Sequence, residues 1–138
     1  MNIPIEISTE VFVPLSTVWE LWCNPKHVMD WNFAVDTWHC PRAENELIEG
    51  KQFDYEMAAR DGSMTFDFTG TFDRIIPEKL LQITLGDGRK MEVLFEATEH
   101  GCKVLERFEP ESENSREIQE MGWQAILNNF KSYAERFV

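Results

Sequence analysis

A chain of 138 residues fits one domain, 1–138, and can bury enough apolar surface to fold without disulfides or metals. Its formal charge of −12, from 25 acidic against 13 basic residues, argues against nucleic acid and anionic membrane surfaces as partners, since both are held through clustered Lys and Arg. Ten Phe, five Trp and two Tyr are a heavy aromatic load that must fill a core, line a pocket, or both.

In chain order, Ile3, Ile5 and Ile7, then Val11 and Val13, recur with period two and predict a strand over 3–13 that Pro14 closes. Ser16-Thr17 is placed to cap a short amphipathic helix carrying Val18, Trp19, Leu21 and Trp22. Asn24-Pro25 stops that helix, and Pro25 suits the first turn of a second one ending near Asp30-Trp31. Period-two alternation returns at Val35, where Trp38, Cys40 and Arg42 are expected to share a face.

After a turn at Gly50, Phe53, Tyr55, Met57 and Ala59 form one row, and Asp61-Gly62 reads as a hairpin turn. The next strand sets Met64, Phe66, Phe68, Gly70 and Phe72 against a Thr/Asp face, so one side is dry and the other wet. Gly70 inside that run predicts a bulge or bend. Leu81, Ile83 and Leu85, then Met91, Val93, Phe95 and Ala97, give two further dry rows separated by the Gly86-Asp87-Gly88 turn. A last strand puts Cys102, Val104, Glu106 and Phe108 in one register, and an acidic connection leads into a long helix over about 116–137. At helical spacing, Gly122, Trp123, Ile126, Leu127, Phe130, Tyr133, Ala134 and Phe137 fall in one sector, opposite Glu117, Glu120, Gln124, Asn128, Lys131 and Glu135.

These patterns imply an α+β fold: about seven antiparallel strands in hairpin order, curved around a long C-terminal helix. Where dry strand faces meet the helix, the candidate ligand-binding side chains are Trp38, Phe53, Tyr55, Met57, Phe66, Phe68, Phe72, Ile83, Met91, Val93, Phe95, Trp123, Ile126, Phe130 and Tyr133. The plain alternative for each is a packed core position. Polar residues in that dry register say more, because a buried polar group needs a partner. Glu106 and Gln119 join the candidates on that ground, with Asn129 at the edge of the helical sector. Glu106 either meets a polar atom of a guest, sits near the open end of its strand, or pairs with Arg42. Gln119 either faces the cavity or solvent in a frayed first turn.

Cys23, Cys40 and Cys102 are scattered, without C-x-x-C spacing, and read as reduced structural thiols. His27, His39 and His100 are dispersed, so neither a metal site nor a cofactor is expected. The N-terminal residues lack a basic stretch followed by an apolar one, and no apolar run is long enough to span a bilayer, which implies a cytoplasmic protein. No nucleophile triad or phosphate loop can be named.

The order of elements resembles the START-like helix-grip superfamily (SRPBCC), and within it the branch named after the activator of heat-shock protein 90 ATPase. The resemblance rests on Val18-Trp19 with Trp22, on Asn24-Pro25-Lys26-His27 leading to Trp31, and on Asp61-Gly62 and Phe66-Asp67-Phe68-Thr69-Gly70. Phe108-Glu109-Pro110 and Gly122-Trp123-Gln124-Ala125-Ile126-Leu127 complete it, so it spans essentially the whole chain. One departure is visible: Glu46-Leu47-Ile48-Glu49-Gly50-Lys51 lacks the Arg and the second Gly of a stretch common in the family. The resemblance implies an apolar, lipid-, polyketide- or flavonoid-like guest held between helix and sheet. Its other implications are a cyclase or aromatase using Glu106 or Tyr55 for proton transfer, and a co-chaperone of a heat-shock ATPase. Against the last, the activators that name the branch carry a further N-terminal domain.

Overall fold

The alternating runs become seven strands, β1 (Ile5–Val11), β2 (Trp38–Asn45), β3 (Gln52–Ala59), β4 (Thr65–Ile76), β5 (Leu80–Leu85), β6 (Lys90–Ala97) and β7 (Cys102–Phe108). Three segments are helical: α1 (Leu15–Cys23), α2 (Pro25–Trp31) and α3 (Arg116–Phe137). These elements belong to a computed structural model that describes residues 3–137. All neighbouring strands are antiparallel, in the order β1-β7-β6-β5-β4-β3-β2. One curled sheet with a helix across its hollow is the α+β helix-grip architecture that the sequence implies. Among the described residues no helix is long and apolar enough to cross a membrane.

The core is the inner face of the sheet plus the helices. Leu81, Ile83, Leu85, Met91, Val93, Phe95, Val104 and Phe108 are all buried, in the alternation read from sequence. Leu127, Phe130 and Ala134 bring α3 onto that core, where α1 and α2 supply Val18, Leu21, Val28 and Trp31. The polar sector of α3 does not simply face water. Gln124 donates to Ser8 O, Lys131 Nζ to Glu10 O, and Glu135 accepts from Phe12 N. The helix thus lies along the free edge of β1 and satisfies backbone groups that an edge strand leaves open.

Several local expectations are corrected. The N-cap of α1 is Pro14, whose carbonyl accepts from Thr17 and Val18 N, and no side chain caps it. Asn24 does cap α2, accepting from Lys26 N at 3.0 Å with Pro25 behind it. Arg42 does not share a face with Trp38 and Cys40. The pairing of β2 with β3 shifts between His39 and Arg42, which turns Arg42 outward opposite Glu56. There it meets Glu44, Asp54 and Asp67.

Gly70 is not a bulge either. It pairs regularly with Phe53 and Leu85, and a Cβ there would sit 2.6 Å from the Phe53 ring. Its missing side chain gives that ring a place to lie, while the irregularity in β4 falls between Phe72 and Arg74. Met64 precedes the strand and is exposed.

Candidate functional site

Between α3 and the inner face of the sheet lies a cavity of about 280 Å³. Its walls come from β3 (Phe53, Tyr55, Met57), β4 (Phe66, Phe68, Phe72), β5 (Leu81, Ile83), β6 (Met91, Val93) and β7 (Glu106). Trp123 and Ile126 of α3 close it opposite, and Trp22, Trp31, Asn32 and Arg89 complete the lining. Trp123 spans the space: its ring stacks on Phe108 of β7 at 3.9 Å and meets Phe68 of β4 edge-on at 5.9 Å. Phe66 is 51% exposed and marks the open end. It pairs with Met57, whose sulfur receives a 3.4 Å contact from Asn32 Nδ2, so the opening lies beside the segment that leaves α2.

Glu106 is the decisive polar group. It stands between Val104 and Phe108 on β7, with Ile7 and Val93 opposite it on the flanking strands, and is 5% exposed. Its carboxyl has no hydrogen-bond or ion-pair partner among the described residues, and burial pushes its pKa up to about 8. The group is therefore a neutral acid at pH 7, able both to donate and to accept. Glu106 neither pairs with Arg42, which lies on the outer face, nor sits at the end of its strand; it lines the cavity.

Tyr55 and Arg89, two other polar residues on the wall, are already engaged. Tyr55 Oη accepts from Asn45 Nδ2 at 2.9 Å, and burial raises the phenol above its usual range. Arg89 donates to Asp87 Oδ2 at 2.8 Å and to Glu109 O at 3.0 Å. Burial also pushes the Cys40 thiol up to about 11 and the Cys23 thiol to about 12, so neither is a ready nucleophile at neutral pH. Among the described residues no group of three or more His, Cys, Asp or Glu is placed to hold a metal ion. A larger groove of about 430 Å³ includes Gln82, Lys90, Glu92 and Arg107, but it is a surface feature where Arg107 is already paired with Glu6 and Glu92.

Of the side chains singled out in the sequence, Phe53, Tyr55, Met57, Phe66, Phe68, Phe72, Ile83, Met91, Val93, Glu106, Trp123 and Ile126 come together on this wall. Five do not. Phe95 is shielded by Trp19 and Trp22, at 5.2 and 5.9 Å, and Phe130 by Trp22 and Trp31, both at 4.9 Å. Trp38 sits outside the rim against Phe66. The Tyr133 hydroxyl lies 2.7 Å from His27 Nδ1 and 3.3 Å from Asp30 Oδ2, tying α3 to α2.

Gln119 is buried, not frayed, but its amide is fully used. It accepts from Glu111 N at 2.9 Å and donates to Glu111 O and Asn114 O at 3.1 and 2.9 Å, pinning the connection before α3. Asn129 likewise donates to Trp31 O at 2.8 Å. Sequence reasoning missed five wall residues. Leu81 shares the row of Ile83 and was legible there; Trp22 was legible as apolar but not as cavity-facing. Trp31, Asn32 and Arg89 sit at a helix end and in a turn, where no periodicity points inward.

The family model described as activator of Hsp90 ATPase homolog 1-like protein matches residues 13–135. The chain belongs to this family. A solution structure of the AHSA1-like protein from Aeromonas hydrophila is 37% identical, with a TM-score of 0.92 over 98% of this chain and 94% of that one. A protein from Cytophaga hutchinsonii, also solved in solution, is 44% identical, with a TM-score of 0.81 over 99% of this chain and 93% of that one. A crystal structure from Nitrosomonas europaea, 17% identical with a TM-score of 0.83 over 98% and 96% of the two chains, shares the fold. No curated protein shows significant similarity to the chain.

Proposed function

We propose that this member of the family binds a small apolar molecule, one or two rings in size, between α3 and the sheet. The observation that carries the reading is an aromatic- and methionine-lined cavity closing on one carboxyl that no protein group satisfies. Ligand sites combine apolar walls with a few orienting polar groups in this way. Size narrows the guest. About 150 Å³ suffices for a benzene-sized ring, so 280 Å³ suits one or two fused rings and falls short of a long-chain lipid or a tetracyclic polyketide. A guest burying about 250 Å², as a large aromatic side chain does, gains about 6 kcal/mol at 25 cal/mol per Å². Before ordering costs that corresponds to a Kd of about 30 μM, and those costs weaken it toward the millimolar range.

A panel of neutral one-, two- and three-ring compounds titrated by two-dimensional NMR tests this. Saturable shifts of the Trp123 indole and the Met57 and Met91 methyls are expected, strongest for two rings. Shifts confined to exposed side chains, or none at millimolar concentration, defeat the proposal. Proton transfer is the second reading, favoured by a carboxyl poised near pH 8 at the cavity wall. Under it, Glu106→Gln abolishes turnover of a bound guest while leaving its affinity intact. The co-chaperone role suggested by the family name is tested separately by an ATPase-stimulation assay.

A further inference from the structure

We infer that the preferred guest is an organic cation, a flat aromatic or alicyclic amine whose nitrogen reaches Glu106. The inference rests on the cavity being a binding site and adds the charge of what it holds. Glu106 is enclosed by Ile7, Val93, Val104 and Phe108, each 4% exposed or less, so no basic side chain neighbours it on the sheet. The one cationic residue on the wall, Arg89, is matched by Asp87 and held by Glu109 O. The cavity therefore carries an acid with an unmet demand for a donor.

Its other distinguishing feature is indole. Trp22, Trp31 and Trp123 all reach the wall. Indole faces attract cations through the ring quadrupole, and Trp is the strongest of the aromatic residues in this respect. A wall that carries both a carboxyl and indole rings can compensate an ammonium by two means. The exterior favours the same choice, since a formal charge of −12 concentrates cations near the surface and repels anions.

The proton balance is simple. Empty, Glu106 holds its proton, as its burial dictates. A free amine entering the cavity takes that proton onto nitrogen, and an ammonium–carboxylate pair forms with no change in total charge. An amine that arrives protonated displaces the carboxyl proton to solvent.

The test uses three probes of one shape: tryptamine (cation), tryptophol (neutral alcohol) and indole-acetate (anion), each titrated by calorimetry into the full chain and into Glu106→Gln. In the unmodified chain tryptamine is expected to bind at least tenfold more tightly than tryptophol, with indole-acetate weakest. In the variant the amine should fall to within threefold of the alcohol, and a single cooperative thermal transition shows that the variant is folded. Tryptophol binding as tightly as tryptamine overturns the inference and leaves the cavity reading standing. An amine preference that survives Glu106→Gln also overturns it, because the preference then comes from surface charge. If no probe binds, both readings fall.

Discussion

Replacing Glu106 by Gln should make the protein more resistant to alkaline pH. The carboxyl titrates at 4.5 when exposed in the unfolded chain and at about 8 in the native one. The native state therefore binds the proton more tightly, so this group's contribution is fully present below pH 4.5 and erodes as pH rises toward 8. At about 1.4 kcal/mol per unit, the whole shift corresponds to roughly 5 kcal/mol. About 4 kcal/mol of it is lost between pH 5 and pH 9, against a typical total stability of about 5–15 kcal/mol.

Glutamine keeps the shape and cannot ionise, so the stability of the variant relative to the parent should climb by about that amount across the same interval. Urea unfolding followed by tryptophan fluorescence at pH 5, 7 and 9 measures it. Taking the difference between the two proteins removes every titration they share, including the Asp61, Asp87 and Glu135 carboxyls, which hydrogen bonds hold low. A difference that stays flat from pH 5 to pH 9 refutes the claim that Glu106 is buried without a partner.

Gly70→Ala should cost about 1–3 kcal/mol by overpacking, since the added methyl meets the Phe53 ring and Ile83; thermal denaturation reads it. Trp123→Ala removes the stack on Phe108 and should cost about 3 kcal/mol, with weaker binding of every guest in the NMR panel. Gln119→Leu breaks the three hydrogen bonds that pin residues 111 and 114 and should cost about 1–3 kcal/mol, yet leave ligand affinity unchanged. A loss of affinity without a loss of stability in that variant would return Gln119 to the site.

Legibility in the sequence followed the strength of local pattern. Met91, Val93 and Phe95 form a period-two row flanked by Lys90, Glu92 and Glu96, with Leu94 the one apolar neighbour, and their inward register was evident because a half-exposed strand buries one row. The same rule exposed Glu106 as an acid in a dry row. What the pattern could not show is which buried residues face space and which face each other. Phe95 and Phe130 have the same periodic credentials as Phe68 and Trp123, and only the packing of Trp19, Trp22 and Trp31 separates them. Arg42 was misread because one register shift over Cys40-Pro41 reverses every side chain beyond it. Gln119 was legible as buried but not as satisfied, since its partners lie in an irregular connection with no period to follow.

Isotope-filtered NOE spectroscopy on a sample saturated with a two-ring guest bears most directly on the binding claim. Cross-peaks from the guest to the Trp123 indole, the Met91 and Ile83 methyls and the Ile126 side chain are the expected result, placing it between α3 and the strands. Cross-peaks only to exposed residues such as Met121 and Ile118 would contradict it.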